Sequence, residues 1–242
     1  MKKTKELDKL YLKYVDKIVD FALKHNFKII ELSGFLENIS GILPSITDEI
    51  NKRMEPFDEI SFHLPIKFRS VEETKTTIRA IKELGTKVIV YHPEYRPNPF
   101  KTEEERKQNI LELISFCKKQ GLMLCLENLP LEVNKFHTPE EFDFYIDKGA
   151  FFILDTGHAV ICGINPVSFL ERFEDKVRNI HLQSGFIGRP DEHYAIGNGD
   201  FDYMNFFKKL KDMEYDGLLT LELLSEKTAL DSINQLKKSH LL

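Results

Sequence analysis

Residues 151–157 read FFILDTG, which is four apolar side chains, an acid and two small residues. A short apolar run of this kind is typical of a parallel strand that helices cover on both faces. Asp155 therefore stands where a buried strand ends. Six other stretches are short apolar runs of the same type: 28–32 (KIIEL), 60–64 (ISFHL), 87–92 (KVIVYH), 122–128 (LMLCLEN), 177–183 (VRNIHLQ) and 218–224 (LLTLELL).

Amphipathic stretches with helix start and stop signals separate these runs. Residues 70–73, 102–105 and 138–141 have the spacing of capping boxes, and Pro139 takes the first helical position of the last one. Glycines follow three of the periodic stretches, where helices commonly end: Gly85, Gly121 and Gly149. A strand–helix unit thus recurs about every 30 residues, which is the repeat of a (β/α)₈ barrel. We predict an α/β fold, a TIM-type barrel that forms a single domain over residues 1–242.

The predicted barrel has seven strands instead of eight, and the first strand is the one that is missing. The chain opens with a helical pattern over residues 6–25, which a barrel strand should precede. Three explanations stay open. Residues 1–5 are a remnant of that strand, the barrel has seven strands with a gap, or the true start lies upstream.

Composition limits the classes of function. With 42% hydrophobic and 30% charged residues, the 242-residue chain is ordinary for a globular protein. Lys and Arg number 34 against 39 Asp and Glu, and a net charge of -5 argues against a surface built to hold nucleic acid. Three cysteines outside any metal-ligand spacing favour reduced thiols in a cytoplasm. No apolar run approaches the ~18 residues of a membrane span, so we expect a cytoplasmic protein without a membrane partner.

Acids and imidazoles recur at the predicted strand ends, where barrel enzymes carry out their chemistry. Glu127, Asp155 and Glu222 each interrupt a run that is otherwise apolar. A buried carboxylate without a partner is costly, and three that converge repel one another unless a cation or protons neutralise them. Further candidates at or after strand ends are His63, His92, His158, His181, Asp191 and His193. Taken singly, each histidine also fits an ordinary structural role. Together they predict a metal site, and a mixed oxygen and nitrogen set suits Mn²⁺, Zn²⁺, Co²⁺ or Fe²⁺ better than Ca²⁺.

Basic residues follow two of these histidines. Lys67 and Arg69 come after His63, and Arg96 comes after His92. They are candidates for binding a substrate phosphate or carboxylate, and a solvated basic rim is an equally good interpretation. The Gly197-Asn-Gly199 stretch is interpreted as a tight loop that passes close to the site.

In this order on successive strands, the motifs resemble those of the xylose isomerase-like barrels. That group includes sugar-phosphate isomerases and epimerases, and also endonuclease IV. The resemblance covers about residues 6–230. It rests on Leu-Glu-Asn at 126–128, Leu-Asp-Thr-Gly-His-Ala at 154–159, His-Leu at 181–182, Asp-x-His…Gly-x-Gly…Asp over 191–202 and Thr-Leu-Glu at 220–222.

The two branches of the group imply different metal sites. The isomerase branch implies one divalent metal held by Glu127, Asp155, His181 and Glu222, with the two glutamates as acid and base. It also implies that His158 contacts substrate oxygens, and we assign Asn128 to substrate binding. The endonuclease IV branch implies a three-zinc cluster with nine ligands: His63, His92, Glu127, Asp155, His158, His181, Asp191, His193 and Glu222.

Departures from the DNA-binding branch favour the isomerase branch. The loop at 33–41 holds no Arg or Lys, and the chain has no Trp and a net negative charge. DNA enzymes gain affinity from Lys and Arg and use inserted side chains to deform DNA. We therefore predict a divalent-metal-dependent isomerase or epimerase of a small sugar or sugar phosphate, using one to three ions of Mn, Zn or Co. The alternatives are a multi-zinc phosphodiesterase on abasic DNA and a non-catalytic barrel that binds a metal or a sugar. A homo-oligomer is left open.

Overall fold

The computed structural model describes residues 2–36, 39–67, 70–95 and 100–241. Within them, seven strands and nine α-helices alternate, with two short 3₁₀ helices at Pro139–Glu141 and Glu174–Lys176. The strands are β1 (Ile29–Ser33), β2 (Glu59–His63), β3 (Val88–Tyr91), β4 (Met123–Glu127), β5 (Phe151–Asp155), β6 (Val177–Leu182) and β7 (Leu218–Leu221). The helices are α1 (Lys2–Lys24), α2 (Ile39–Met54), α3 (Val71–Lys82), α4 (Glu103–Gln120), α5 (Asp143–Asp147), α6 (Thr156–Ile161), α7 (Val167–Phe173), α8 (Tyr203–Asp212) and α9 (Glu226–Lys238). None of the helices in these ranges has the length and apolar character needed to cross a bilayer.

The strands form one sheet whose order is the chain order, β1 to β7. The registers that are defined are parallel, as between β1 and β2, where Ile30 is opposite Ile60, and between β6 and β7, where Ile180 is opposite Leu219. Parallel strands in chain order with helices between them are the arrangement of a TIM-type barrel. The predicted α/β class and all seven predicted strands are confirmed.

The chain forms two compact units. The first comprises Met1–Tyr91 and Pro99–Cys125, and the second comprises His92–Asn98 and Leu126–Leu242. In the first unit, β1, β2 and β3 pair in parallel, and α1, α2, α3 and α4 pack in succession, each against the next. Its core includes fully buried Leu32, Phe62 and Ile89. Whether the two units fold as the single predicted domain stays a prediction.

Helix α1 begins at Lys2, so residues 2–5 are helical and the explanation of a strand remnant is wrong. Two tyrosines of this helix bind the backbone of β1. The Ser33 amide donates to the Tyr14 hydroxyl at 2.9 Å, and the Tyr11 hydroxyl donates to the Ser33 carbonyl at 3.2 Å. The neighbouring Gly34 amide donates to His63 of β2, so Ser33 directs its polar groups away from β2. Helix α1 thus satisfies Ser33 on the edge that no described strand pairs.

Local signals account for most helix ends. Ser70 and Glu73 form a reciprocal capping box at α3, and Thr102 caps α4. The predicted terminating glycines have left-handed backbones, with φ of 76°, 73° and 99° at Gly85, Gly121 and Gly149. One expectation was wrong in part. The stretch 33–41 is not all loop, because α2 begins at Ile39 and buries Ile39, Ile42, Leu43, Ile46, Ile50 and Met54 along one face.

The second unit holds β5, β6 and β7 around an aromatic core. The Phe152 ring stacks on Phe169 with centroids 5.2 Å apart, and Phe142 meets Phe152 edge to face at 4.8 Å. Strand β4 reaches this unit at Leu126 and Glu127. The carboxyl ends of β4 to β7 therefore all lie within the second unit.

Candidate metal centre

Four predicted ligands converge at the ends of four strands of the second unit. Glu127 and Asp155 are the last residues of β4 and β5, His181 lies in β6, and Glu222 directly follows β7. One ligand atom from each lies within 4.8 Å of those of the other three. His181 Nδ1 is 2.6 Å from Glu222 Oε2 and 3.4 Å from Glu127 Oε1. We refer to these four residues as the metal quartet.

The donor set of the metal quartet fits a divalent cation. Glu127, Asp155 and His181 are fully buried, whereas the Glu222 side chain is 27% exposed. Burial raises the pKa of Asp155 above its ordinary value, and the charges of Glu222 and Glu127 add to the rise against the opposing effect of His158. Negative charge on Asp155 is therefore unfavourable without a counter-charge, and a bound cation would supply one. Three carboxylates and one imidazole are hard and borderline ligands that suit Mn²⁺, Zn²⁺ or Co²⁺.

Backbone and amide groups hold Asp155 in place. Its Oδ1 accepts the His158 amide at 2.6 Å, because Asp155 is also the N-cap of α6. Its Oδ2 accepts Gln183 Nε2 at 2.8 Å. The Asn128 side chain binds the Asp155 backbone twice, accepting its amide at 2.7 Å and donating to its carbonyl at 2.8 Å. Asn128 is fully buried and engages both amide atoms, so it ties β4 to β5, and its predicted contact with substrate stays a prediction.

A second group of predicted ligands adjoins the quartet. Asp191 Oδ2 is 3.0 Å from His158 Nε2 and 3.3 Å from His193 Nε2. His158 Nδ1 donates to the Asn128 carbonyl at 2.8 Å, and His193 Nδ1 donates to the Glu222 carbonyl at 3.1 Å. His193 adopts a left-handed backbone with φ of 49°, which is uncommon for a residue with a side chain. Both histidines are therefore fixed through both ring nitrogens.

Charge pairing sets the protonation of this second group. Burial alone would lower the pKa of His158, but Asp155, Asp191 and Glu127 outweigh it and raise the pKa to about 10. Burial likewise opposes the charge on His193, yet the bond to Asp191 and nearby acids raise its pKa to about 9. The same two imidazoles hold the pKa of Asp191 well below its ordinary value in spite of burial. His158 and His193 are therefore cations as the structure stands.

Of the remaining candidates, His92 adjoins the quartet, His63 and Lys67 belong to the first unit, and Arg69 and Arg96 lie outside the described residues. His92 Nε2 is 3.2 Å from Glu127 Oε2, in the second unit. In the first unit, His63 ends β2 and is 5% exposed, and its Nδ1 is 2.8 Å from the Leu64 carbonyl oxygen. Lys67 is exposed in the loop that follows. For all of them, metal or substrate binding stays a prediction.

Supporting side chains around the site were missed from the sequence. Gln183 holds Asp155, and Glu132 Oε1 accepts the Asp191 amide at 3.2 Å. The signal for Gln183 was present, because it follows His181 by two residues and so points to the same side of the chain. Gly199 packs closely against the chain that follows β6, and the predicted approach of the 197–199 loop to the site itself stays a prediction. A Cβ on Gly199 would overlap the Gly185 carbonyl oxygen and lie 2.7 Å from Ser184 Oγ.

The fold is of the TIM-barrel type, and three acids and a histidine that could hold a metal ion lie together at its strand ends. A sequence profile described as xylose isomerase-like TIM barrel matches residues 6–239. The chain belongs to that family, which confirms the resemblance of the motifs.

Comparison with individual proteins gives more distant likenesses. The chain is 26% identical over 199 residues to an uncharacterized protein of Methanocaldococcus jannaschii, MJ1311, covering 76% of this chain and 67% of that one. Two other uncharacterized proteins of that organism are matched over 58% and 65% of their own length. An inosose dehydratase of Geobacillus kaustophilus is 30% identical over 86 residues, which is 29% of this chain and 28% of that protein. A solved D-tagatose 3-epimerase-like protein superposes with a TM-score of 0.76 at 24% identity, covering 90% of this chain and 91% of the other.

Proposed function

We propose that this protein is a divalent-metal-dependent isomerase or epimerase of a small sugar or sugar phosphate. The observation that carries the proposal is the metal quartet, in which two glutamates from different strands approach the same imidazole nitrogen. The fold likeness to a D-tagatose 3-epimerase-like protein and the partial likeness to an inosose dehydratase support a substrate with several hydroxyl groups and a carbonyl.

Glu127, Asp155, His181 and Glu222 would hold the metal. When bound, a divalent cation supplies Lewis-acid polarisation of a carbonyl oxygen and a neighbouring hydroxyl oxygen, which lowers the pKa of the adjacent C–H. Hydrogen bonds hold both carboxylate oxygens of Asp155, so this ligand would keep its orientation when substrate binds. Three of the four quartet side chains are buried, so a metal bound there would have few contacts with bulk water on that side.

The two glutamates would move the proton. One carboxylate takes the proton from the carbon next to the carbonyl, and the electron pair of that C–H bond forms the enediolate. The other glutamate, in its acid form, returns a proton to the opposite face of the same carbon for an epimerase, or to the neighbouring carbon for an isomerase. The Glu222 side chain is partly exposed, whereas Glu127 is fully buried. Of the two carboxylates, Glu222 is therefore the one that can exchange protons with solvent.

The His158 and Asp191 pair would supply fixed charge beside the reacting oxygens. His158 is a cation clamped between the Asn128 carbonyl and Asp191, and it lies 3.6 Å from both Glu127 Oε1 and Asp155 Oδ1. A buried imidazolium at this position stabilises negative charge that develops on the substrate. Direct contact of His158 with a substrate oxygen stays a prediction.

Deuterium incorporation tests the proposed reaction. The purified chain, loaded with Mn²⁺ or Co²⁺, is incubated in D₂O with a panel of ketoses and ketose phosphates. We expect an epimer or isomer to form with deuterium at the carbon next to the carbonyl, and Glu127→Gln to abolish both signals. A panel with neither product nor deuterium would overturn the proposal.

One observation favours a second candidate, phosphodiester hydrolysis at abasic DNA. Asp191 contacts both His158 and His193, which makes a further acid–imidazole set of the kind a multi-zinc site uses. Metal content separates the two candidates. About one metal per chain by elemental analysis supports the isomerase or epimerase, whereas three zinc ions with cleavage of abasic DNA would replace it.

A further inference from the structure

We propose that Gln183 is a positioning residue for the metal site. In this arrangement Thr156 anchors the backbone of Gln183, and Gly157 leaves room for its side chain. The inference rests on the proposed metal quartet, because Gln183 acts through Asp155. Gln183 has no exposed surface, and its Nε2 donates to Asp155 Oδ2 at 2.8 Å.

The orientation of the Gln183 amide is determined by its partner. With Asp155 ionised, as a metal ligand is, its oxygens only accept hydrogen bonds, so the NH₂ end of the amide faces Asp155. The opposite end, Oε1, is buried and has no hydrogen-bond partner among the described residues. A buried acceptor without a donor destabilises the folded state, so an apolar side chain would fill this space at lower cost. The bond from Nε2 to Asp155 is therefore the reason we assign to an amide at this position.

Thr156 fixes the backbone from which the Gln183 side chain extends. Its hydroxyl donates to the Gln183 carbonyl at 2.6 Å, and the Gln183 amide donates back to the same hydroxyl at 3.1 Å. Thr156 is fully buried and directly follows Asp155 in the chain. The residue after the acid therefore anchors the residue that supports the acid.

Gly157 provides the space for the Gln183 side chain. A Cβ at position 157 would lie 2.6 Å from Gln183 Cδ and 2.7 Å from both Cγ and Oε1. The backbone of Gly157 is helical in α6 and lies outside the left-handed region, so conformation alone does not require glycine there. The requirement is steric, and it links the Asp-Thr-Gly stretch at 155–157 to Gln183.

The consequence is a carboxylate held at both oxygens before any metal arrives. The His158 amide fixes Oδ1 and Gln183 fixes Oδ2, so Asp155 cannot rotate away from the quartet without losing a bond. Groups that orient metal ligands in this way commonly change metal affinity by about 10–100-fold when they are removed.

A double-mutant cycle tests the inference. The cycle comprises Gln183→Ala, Gly157→Ala, which displaces the side chain, and their combination, and Gln183→Met is a further variant that keeps the volume but removes the amide. Mn²⁺ and Co²⁺ affinities are measured by titration calorimetry, with the Co²⁺ absorption spectrum as a readout of ligand geometry. We expect Gln183→Met and Gly157→Ala each to weaken binding about 10–100-fold and to alter the spectrum. In the Gln183→Ala background, Gly157→Ala should add little, because the clash is gone.

A matched control separates this role from general crowding. Gly217 directly precedes β7, and a Cβ there would overlap the Tyr215 ring. Gly217→Ala therefore introduces a comparable clash at the amino end of β7, whereas Glu222 of the quartet follows its carboxyl end. It should lower the Tm and leave metal affinity unchanged. If the wild type binds metal and Gln183→Met binds it with the same affinity, or if the losses in the cycle are additive, the role of Gln183 is wrong while the metal centre stands. A wild-type chain that binds neither ion would overturn the metal centre as well.

Discussion

Glu222 is the most exposed member of the metal quartet. It lies just beyond β7, its side chain is 27% exposed, and its carboxylate is 2.6 Å from His181 Nδ1. We expect Glu222→Gln to reduce metal affinity and to lower turnover by about 10²–10⁴-fold, because it removes both a charge and a proton carrier. Titration calorimetry and the deuterium assay measure the two effects on one preparation. Unchanged turnover in Glu222→Gln would favour the non-catalytic barrel.

Glu141 gives a pH-dependent prediction away from the metal. Its carboxylate accepts three successive amides, those of Phe136, His137 and Thr138, at 3.0, 2.7 and 3.0 Å. Burial opposes the charge, but these donors outweigh it and hold the pKa of Glu141 below its ordinary value. A lowered carboxyl pKa contributes stability above the unfolded pKa, and that stability is lost as the pH falls through the folded pKa.

Glu141→Gln should therefore destabilise the protein by about 1 kcal/mol at pH 7, discounted for the partial exposure of the group. The difference from wild type should shrink as the pH falls below the ordinary carboxyl pKa. Urea unfolding at several pH values measures it. The neighbouring Glu140 is exposed and pairs only with Arg172 among the described residues, so Glu140→Gln is the control and should have little effect. A pH-independent loss in Glu141→Gln would contradict the prediction.

The site residues that could be predicted from the sequence were charged side chains within apolar runs. Glu127 and Asp155 interrupt apolar runs, which signals a buried charge whatever the fold. Gln183 and Asn128 carry no charge, and neutral amides are common at strand ends. Their roles depend on which backbone or side-chain atom faces them, and that is fixed by strand register, which one sequence does not contain.

Helix α1 takes over hydrogen bonds that a strand would otherwise make. Tyr14 accepts the Ser33 amide and Tyr11 donates to the Ser33 carbonyl, at the edge of β1 that no described strand pairs. An unsatisfied strand edge is a site for non-native pairing, so these hydroxyls also protect the edge. The apolar face of α1 was visible in the sequence, but the use of its two hydroxyls depends on the packing of the helix.

Tyr14→Phe should lower the free energy of unfolding by about 1 kcal/mol, because the Ser33 amide loses its acceptor. Amide hydrogen exchange at Ser33 should quicken, while the ring contact between position 14 and Phe35, now at 4.8 Å between centroids, is retained. Tyr11→Phe removes the other bond but leaves the Ser33 amide bonded, so exchange there should stay slow. Equal exchange at Ser33 in wild type and Tyr14→Phe would rule out the role assigned to Tyr14.

Strand positions were predictable because apolar runs and glycine stops are local. Helix α2 was partly missed, although Ile39, Ile42, Leu43 and Ile46 have helical spacing. Pro44 lies inside this helix, and a proline removes an amide donor and weakens the helical pattern of the sequence. Burial of the apolar face against neighbouring elements outweighs that loss, and such tertiary gains are not visible locally.

At the scale of the whole molecule, the covalent path ties the two compact units to each other. The chain passes between them after Tyr91, after Asn98 and after Cys125, and the last passage falls inside β4. Strand β4 therefore continues from the first unit into the second, and unfolding of either unit would interrupt it. We therefore expect a single cooperative unfolding transition, with equal calorimetric and van't Hoff enthalpies.

Metal addition tests whether the two units unfold together, because the metal quartet lies wholly in the second unit. A ligand at about 100 times its Kd stabilises the folded state by about 2.7 kcal/mol. For a chain of this size that corresponds to a rise in Tm of roughly 5–10 °C. If the units unfold together, Mn²⁺ shifts the whole transition by this amount. If they unfold separately, calorimetry shows two transitions and Mn²⁺ moves one of them, in which case the single-domain prediction is wrong while the metal centre stands.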